Sequence, residues 1–341
     1  MTTETGTRHL EAGLPAYRLV RREDIVFSDG FPGHAAGFLS CSLVGGSTGS
    51  THMGVGLCTL GDGHVDTHVH SYEESFYILE GEPVLYFDGR GVQLKPGACG
   101  VVPVGVPHAW RCAEGEARWI EMAAPRPRSD GTDTFPLGPA PDTAHAPLDV
   151  RDPRNRNLFL LTEGEMDLDR LKRGAAVSAP TVSASMATAV LAYSGIAVKM
   201  LVDQRLDAQL HTMFMVDYQP GAVAHPHDHP FEESYYMLHG EVDVVANGDR
   251  HTLRPGDVFW TASGCVHAFY ETQGGRVRWL ETSAPGPPAR HSYRFERDWD
   301  YLADRPSGEA KVGVAWALSA SSPLQTGTNP APTTVERNRA P

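Results

Sequence analysis

The heptapeptide HVHSYEE at residues 68–74 returns as HDHPFEE at residues 227–233, and this repeat decides the fold. In both copies two histidines stand two residues apart, a glutamate comes four residues after the second, and a third histidine comes 34 residues after the glutamate. All four positions are offset by 159 residues, which is hard to attribute to chance. We therefore infer two copies of one domain, each able to bind a transition metal. The eight candidate metal ligands are His68, His70, Glu74, His108, His227, His229, Glu233 and His267.

The repeat continues beyond the ligands into the neighbouring turns and strands. The segment EESFYILEGE at 73–82 matches EESYYMLHGE at 232–241. RWIE at 118–121 matches RWLE at 278–281 at an offset of 160, so one residue has been gained between the third histidine and this segment. We expect the extra residue in a turn, because exposed turns tolerate insertions best.

Each copy has the pattern of an all-β domain. Short β-branched and aromatic runs alternate with turn signals, such as Asp88-Gly89 in the first copy and Asn247-Gly248 in the second. Asp-Gly and Asn-Gly between apolar runs indicate hairpins. Several short strands at this spacing are typical of a β-sandwich or barrel. The many glycines (35) and prolines (26) also favour short elements joined by turns.

Composition limits the class of partner and the compartment. The formal net charge of −13 makes the chain a poor partner for nucleic acid or for anionic membranes, and neither is predicted. Five scattered cysteines without a CxxC pair predict no disulfide framework and a reducing compartment. The N-terminal residues have no signal-peptide pattern, and no apolar run reaches the roughly 20 residues of a membrane span. We therefore expect a cytoplasmic protein.

Length and composition predict four segments in the 341 residues. An N-terminal barrel is predicted at 16–125 and a C-terminal barrel at 186–303. Between them, 126–185 is predicted as a linker and inter-domain segment, because its first half is rich in Pro, Asp and Gly. The tail at 304–341 is predicted to be largely disordered, because Ser, Thr, Ala and Pro dominate it.

The spacing of the candidate ligands suits a metal held inside a barrel. Two histidines at i and i+2 of a strand point to the same face, and the third histidine must come from another strand. A turn is expected between the histidine pair and the glutamate, since Pro230 would interrupt a regular ladder. Three imidazoles and a carboxylate suit Fe, Mn, Ni, Cu or Zn and leave positions open for substrate, water or O₂. A closed structural zinc site is the alternative, although such sites usually contain cysteine.

The spacing G-x₅-H-x-H-x₃-E-x₆-G, followed by G-x₅-P-x-G-x₂-H, resembles the two signature motifs of the cupin superfamily. The resemblance covers roughly 45–124 and 205–288. Asp62 replaces the first glycine of the first copy and Ala262 the proline of the second, but neither is a candidate ligand. The resemblance implies a bicupin, with two tandem cupin barrels (double-stranded β-helix or jelly-roll), short peripheral helices and one divalent transition metal per barrel.

A dioxygenase is the activity that this resemblance favours. Bicupins of the quercetinase type have a similar ligand set, although they place one more residue between the histidine pair and the glutamate. The implied substrate is a small organic molecule bound at the His₃Glu centre, with O₂ as a candidate co-substrate. Glu74 and Glu233 would each serve as a ligand and as the catalytic base. A homodimer is the candidate assembly.

Other activities of the superfamily stay open. A non-redox hydrolase, lyase or isomerase is the main alternative, because 256–270 resembles the manganese bicupin ureidoglycine aminohydrolase. Oxalate decarboxylases usually carry an arginine three residues before the histidine pair, where this chain has Val65 and Ala224. A non-enzymatic binding bicupin is the third alternative. Storage relatives of the fold have generally lost the ligands, whereas this chain keeps them.

Overall fold

The computed structural model describes the fold of residues 16–128, 131–166, 195–271, 274–288 and 294–295. Strands dominate these ranges, and the all-β class predicted from the sequence is confirmed. The peripheral helices there are 3₁₀ turns of three or four residues, and no helix there is long and apolar enough to cross a membrane. The 3₁₀ turns are Arg22–Asp24, Gly46–Thr48, Pro153–Asn155, Glu163–Met166 and Gln204–Leu206.

Within the described residues, thirteen strands precede the second copy of the repeat. They are β1 Tyr17–Val20, β2 Ser28–Asp29, β3 Ala35–Val44, β4 Gly54–His70, β5 Glu73–Glu80, β6 Val84–Phe87, β7 Arg90–Gln93, β8 Ala98–Val102, β9 His108–Cys112, β10 Ala117–Ala124, β11 Thr134–Gly138, β12 His145–Pro147 and β13 Leu158–Leu160. All of them except β1 form one 12-stranded sheet, whose main path runs β12-β7-β6-β9-β4-β10-β5-β8-β13. The long strand β4 pairs with β10 along its first half and with β9 along its second, so the sheet curls around it.

In the part of the chain that the structure describes, ten further strands build the second barrel together with β1. They are β14 Ile196–Val202, β15 Thr212–Tyr218, β16 Val223–Asp228, β17 Glu232–His239, β18 Val242–Ala246, β19 Asp249–Leu253, β20 Val258–Thr261, β21 His267–Glu271, β22 Val277–Ala284 and β23 Arg294–Phe295. They form two sheets, in the orders β1-β20-β17-β22-β15-β14 and β19-β18-β21-β16-β23. The pair β15 and β16 takes the place of the single strand β4, because the Pro220-Gly221 turn separates them.

The turns follow the sequence signals. Asp88 and Asn247 adopt positive φ angles of 52° and 49°, and the glycine after each is also positive, as a two-residue hairpin turn requires. The extra residue of the second copy falls between β21 and β22, which confirms the predicted turn insertion. A turn also separates β4 from β5 and β16 from β17, as expected between the histidine pair and the glutamate.

Each barrel has its own apolar interior, and a third apolar layer joins the two barrels. Inside the first barrel Trp110 stacks on Trp119 with ring centroids 4.8 Å apart. At the matched place of the second barrel Phe269 stacks on Trp279 at 5.1 Å. The layer between the barrels contains buried side chains from both copies of the repeat. Its members include Leu43, Val55, Tyr77, Ile120, Leu201, Met213, Trp260 and Leu280.

Some strands lie outside the barrel that their place in the sequence suggests. β1, at the start of the predicted N-terminal domain, pairs with β20 of the second barrel. β11, β12 and β13, within the predicted linker, pair with β4, β7 and β8 of the first barrel. The four predicted segment bounds stay a prediction, and the predicted tail lies outside the described residues.

Two buried glutamates connect the barrels reciprocally. Glu73 of the first barrel accepts hydrogen bonds from two backbone N–H groups of the 209–211 segment, at 2.9 and 3.1 Å, and pairs with the imidazole there. Glu232 of the second barrel accepts hydrogen bonds from the 50–51 segment of the first, at 2.5 to 2.8 Å. Each glutamate is only 2% exposed. Because an unpaired buried carboxylate is costly, these two contacts fix how the barrels pack.

Candidate metal centres

The first candidate centre lies where β4 ends. His68 and His70 are the last alternate residues of β4, Glu74 follows the turn into β5, and His108 begins β9. β9 pairs with β4 so that His68 and His108 are direct neighbours across the sheet. All four side chains are buried. The curled sheet therefore delivers the four predicted residues to one interior site.

Three imidazoles converge in this first centre. The ring centroids of His68 and His108 are 4.2 Å apart, and that of His70 is 4.8 and 5.0 Å from them. One ring nitrogen from each lies within 4.8 Å of the others. Glu74 stands beside the triad, with its Oε2 2.9 Å from His70 Nε2 and 4.0 Å from His108 Nε2.

The second candidate centre has a different tight group. His229, Glu233 and His267 place ligand atoms within 4.8 Å of one another. Glu233 Oε2 lies 2.7 Å from His229 Nε2 and 3.9 Å from His267 Nε2. The ring of His227 is 4.4 Å from that of His267 but 6.1 Å from that of His229. The fourth predicted residue is therefore at the edge of this group.

The imidazoles are oriented by their Nδ1 atoms. In five of the six rings Nδ1 meets a backbone carbonyl, which can only accept a hydrogen bond, so Nδ1 donates. When such a ring is neutral, its Nε2 carries the lone pair. In the sixth ring Nδ1 meets a threonine hydroxyl. This is how proteins fix metal-binding histidines. The pairs are His68 with Asp66 O (2.6 Å), His70 with Thr134 Oγ1 (3.0 Å), His108 with Val106 O (3.1 Å), His227 with His225 O (2.7 Å), His229 with Phe231 O (2.7 Å) and His267 with Cys265 O (2.9 Å).

Burial keeps most of these rings neutral. It lowers the pKa of His70 and of His227 to about 4. It also lowers the pKa of His108 well below the ordinary value, and His108 Nε2 is buried without a hydrogen-bond partner among the described residues. A neutral imidazole of this kind can bind a metal through its Nε2 lone pair. The residues present therefore fit a divalent transition metal.

The carboxylates of the two centres differ in their surroundings. Glu233 accepts hydrogen bonds from the Tyr235 hydroxyl at 2.5 Å and from Ser283 Oγ at 3.2 Å. Phe76 and Ala123 occupy the matched places in the first barrel, and neither can donate a hydrogen bond from its side chain. Burial accordingly raises the pKa of Glu74 to about 7. Burial also acts on Glu233, but its neighbouring histidines and tyrosine hold its pKa below the usual range.

Tyr235 is the main site residue that the ligand pattern misses. Its hydroxyl also lies 2.8 Å from His267 Nε2, so it stands between two predicted ligands of the second centre. The signal was the change from Phe76 to Tyr235, one of three differences between the matched segments EESFYILE and EESYYMLH. Thr134, which hydrogen-bonds to His70 Nδ1, lies in β11, and its local sequence does not indicate this contact. The predicted ligand set and the catalytic roles of Glu74 and Glu233 stay a prediction.

Comparisons with known proteins agree with this architecture. The sequence matches the family described as Cupin domain over residues 56–122 and 214–283, ranges that contain all eight candidate ligands. No curated protein matches it in sequence.

Solved structures show the same fold at low identity. The salicylate 1,2-dioxygenase from Pseudoaminobacter salicylatoxidans, with gentisate, superposes with a TM-score of 0.61 at 16% identity, over 79% of this chain and 81% of that one. An oxalate decarboxylase mutant from Bacillus subtilis superposes with a TM-score of 0.56 at 16% identity, over 84% and 81%. At this identity the likeness concerns the fold. One Cupin domain match falls on each barrel, and two cupin domains in one chain are the layout of a bicupin.

Proposed function

We propose that this bicupin is a metal-dependent dioxygenase and that the N-terminal barrel performs the chemistry on a small organic substrate. The observation that carries the proposal is the convergence of His68, His70 and His108, in which Nε2 of His70 and of His108 is buried without a hydrogen-bond partner among the described residues. Three imidazoles can hold a divalent metal and leave coordination positions for other molecules. In the second barrel the Tyr235 hydroxyl lies 2.8 Å from His267 Nε2, between two of the candidate ligands.

The chain's own residues would position the substrate and move its proton. A bound redox-active metal supplies O₂ activation and polarises substrate oxygens. Glu74, beside the triad, has a pKa near 7, which suits a base that removes a hydroxyl or enol proton at neutral pH. The aromatic rings of Phe31, 5.3 Å from His68, and of Tyr72, stacked on His70, flank the site and limit access of water.

The substrate class that we propose to test first is a hydroxylated aromatic acid. One structural neighbour is a salicylate 1,2-dioxygenase with bound gentisate, and it supports this choice only through the shared fold. The oxalate decarboxylase neighbour supports oxalate less, because Val65 and Ala224 stand where those enzymes usually carry an arginine.

O₂ uptake with Fe(II), Mn(II), Ni(II), Cu(II) or Zn(II) added separately tests the proposal. We expect uptake with a hydroxyaryl carboxylate, loss of uptake in His68→Ala, and retention of most uptake in His227→Ala. Product formation that continues without O₂ would contradict a dioxygenase and favour the alternative, a non-redox hydrolase or lyase that uses the same Glu74 as its base. Loss of activity in His227→Ala alone would assign the chemistry to the second barrel.

A further inference from the structure

A cavity of about 440 Å³ opens at the seam between the two barrels. Its apolar wall includes Leu57 and Leu79 of the first barrel, Leu238 of the second, and Phe27 from the segment after β1. None of the eight candidate metal ligands lines it. The volume lies within the range of small-molecule sites. The cavity is therefore separate from the proposed chemistry.

The charged residues of this cavity are unbalanced. Arg22 and Arg118 line it together with one acid, Glu80. Arg118 Nε is buried and meets no hydrogen-bond acceptor within the described ranges. The one carboxylate paired with its guanidinium there is Glu116, 3.7 Å away on an exposed side chain. A guanidinium stays charged, so a desolvated Nε without an acceptor is costly unless a ligand satisfies it.

In the second barrel two acids neutralise the arginine that matches Arg118. Arg278 is the repeat partner of Arg118, and it bonds to Asp217 at 2.9 Å and to Glu163 at 2.6 Å. Asp217 faces Arg278 across the sheet, whereas Thr59 faces Arg118. The first barrel therefore has a threonine on the neighbouring strand where the second barrel has an aspartate.

The segments that cover the two arginines also differ in charge. β13 pairs with β8, and β1 pairs with β20, so they take the same place on the two barrels. The segment after β13 brings Glu163 to its arginine, whereas the segment after β1 brings another arginine, Arg22, to the cavity wall. The same fold thus carries a closed ion-pair cluster on one barrel and an open, net positive cavity on the other.

We propose that this seam cavity binds an organic monocarboxylate. Arg118, with Arg22, holds the carboxylate, because a guanidinium presents paired donors that match carboxylate oxygens. The apolar body of the ligand lies against Leu57, Leu79 and Leu238. Glu80, the one acid among the described residues of the wall, selects against ligands with further negative charges by like-charge repulsion.

Titration calorimetry of the full chain with octanoate tests the proposal, with octanol as the neutral probe. We expect octanoate to bind and octanol to bind at least tenfold more weakly, with no change in octanoate binding when EDTA removes metal. Arg118→Gln weakens octanoate binding by roughly tenfold to a hundredfold, as for a lost hydrogen bond to a charged group. Arg254→Gln is the matched control, because that exposed arginine pairs with Glu241 and does not line the cavity.

Glu80→Gln gives a second test that does not depend on the stability of Arg118→Gln. The residue is exposed, and removal of its charge is expected to strengthen octanoate binding severalfold. Equal binding of octanoate and octanol, unchanged binding in a folded Arg118→Gln variant, or weaker binding in Glu80→Gln would overturn the proposal. So would loss of octanoate binding on addition of EDTA, which would place the carboxylate at a metal centre.

Discussion

Phe76 and Tyr235 occupy the same place in the two barrels and differ by one hydroxyl group. In the second barrel that hydroxyl donates a hydrogen bond to Glu233 and lies 2.8 Å from His267 Nε2. In the first barrel Phe76 has no hydroxyl to place between the matched atoms, Glu74 Oε2 and His108 Nε2, which are 4.0 Å apart. This hydroxyl and Ser283 Oγ thus give two identical ligand patterns different hydrogen-bond surroundings. The pattern of ligands was readable from the sequence, but this difference depends on which side chain points inward at a position that the motif leaves unspecified.

Removal of the hydroxyl should improve metal binding in the second barrel. In a His68→Ala background we expect Tyr235→Phe to bind Zn(II) more tightly, measured by competition with a chelator, because His267 Nε2 and Glu233 become available. Without metal the variant should lose about 1–3 kcal/mol of unfolding free energy, since buried acceptors lose a donor. Phe76→Tyr is the matched change and should weaken binding in the first barrel. Unchanged affinity in both variants would contradict this role of the hydroxyl.

Glu74→Gln separates the two roles predicted for Glu74. Three imidazoles remain, so we expect metal content to persist while kcat falls by about 10²–10⁴-fold, as for loss of a general base. Metal analysis and steady-state kinetics on the same preparation measure both quantities. Glu116→Gln, at an exposed site, serves as the control. Loss of metal together with activity would mean that Glu74 acts chiefly as a ligand.

At the scale of strands and turns, the local sequence predicts the hairpins but not the long-range strand pairings. The hairpins at Asp88-Gly89 and Asn247-Gly248, and the turn between the histidine pair and the glutamate, follow from local rules of backbone geometry. The pairing of β1 with β20 joins residues about 240 positions apart, and no local pattern in its four residues indicates the partner. Glu73 and Glu232 likewise look like ordinary neighbours of the predicted ligands, and only the packed barrels show that they bridge the seam.

The reciprocal glutamates should contribute strongly to stability. We expect Glu73→Gln and Glu232→Gln each to lower the free energy of unfolding by roughly 3 kcal/mol or more, because each replaces one accepting carboxylate oxygen with an amide NH₂ group that faces a buried donor. Urea unfolding followed by tryptophan fluorescence measures the change. Glu82→Gln, at an exposed residue that follows β5, should change stability by less than about 0.5 kcal/mol. A loss below about 1 kcal/mol in both glutamate variants would contradict the bridging role.

At the scale of the whole molecule, metal and packing should stabilise the same structure. Ligands that bind only the folded state raise its stability by RT ln(1 + [L]/Kd), about 2.7 kcal/mol at a hundredfold excess over Kd. We therefore expect EDTA to lower the Tm of the metal-loaded protein. The shift should become smaller in His68→Ala, as measured by differential scanning calorimetry. A Tm that EDTA leaves unchanged would argue against metal binding at both centres.

The pairing of β1 with the second barrel also has a consequence for the order in which the two barrels can fold during synthesis. A ribosome adds about 5–20 residues per second, so β1 leaves it roughly 10 to 50 seconds before its partner β20 exists. The first barrel can collect its own strands during that interval, while the second cannot complete its sheet until the beginning of the chain returns to it. A gene cut between the barrels would therefore yield unequal halves, because the downstream product would lack an edge strand and the upstream product would carry one without its acceptor.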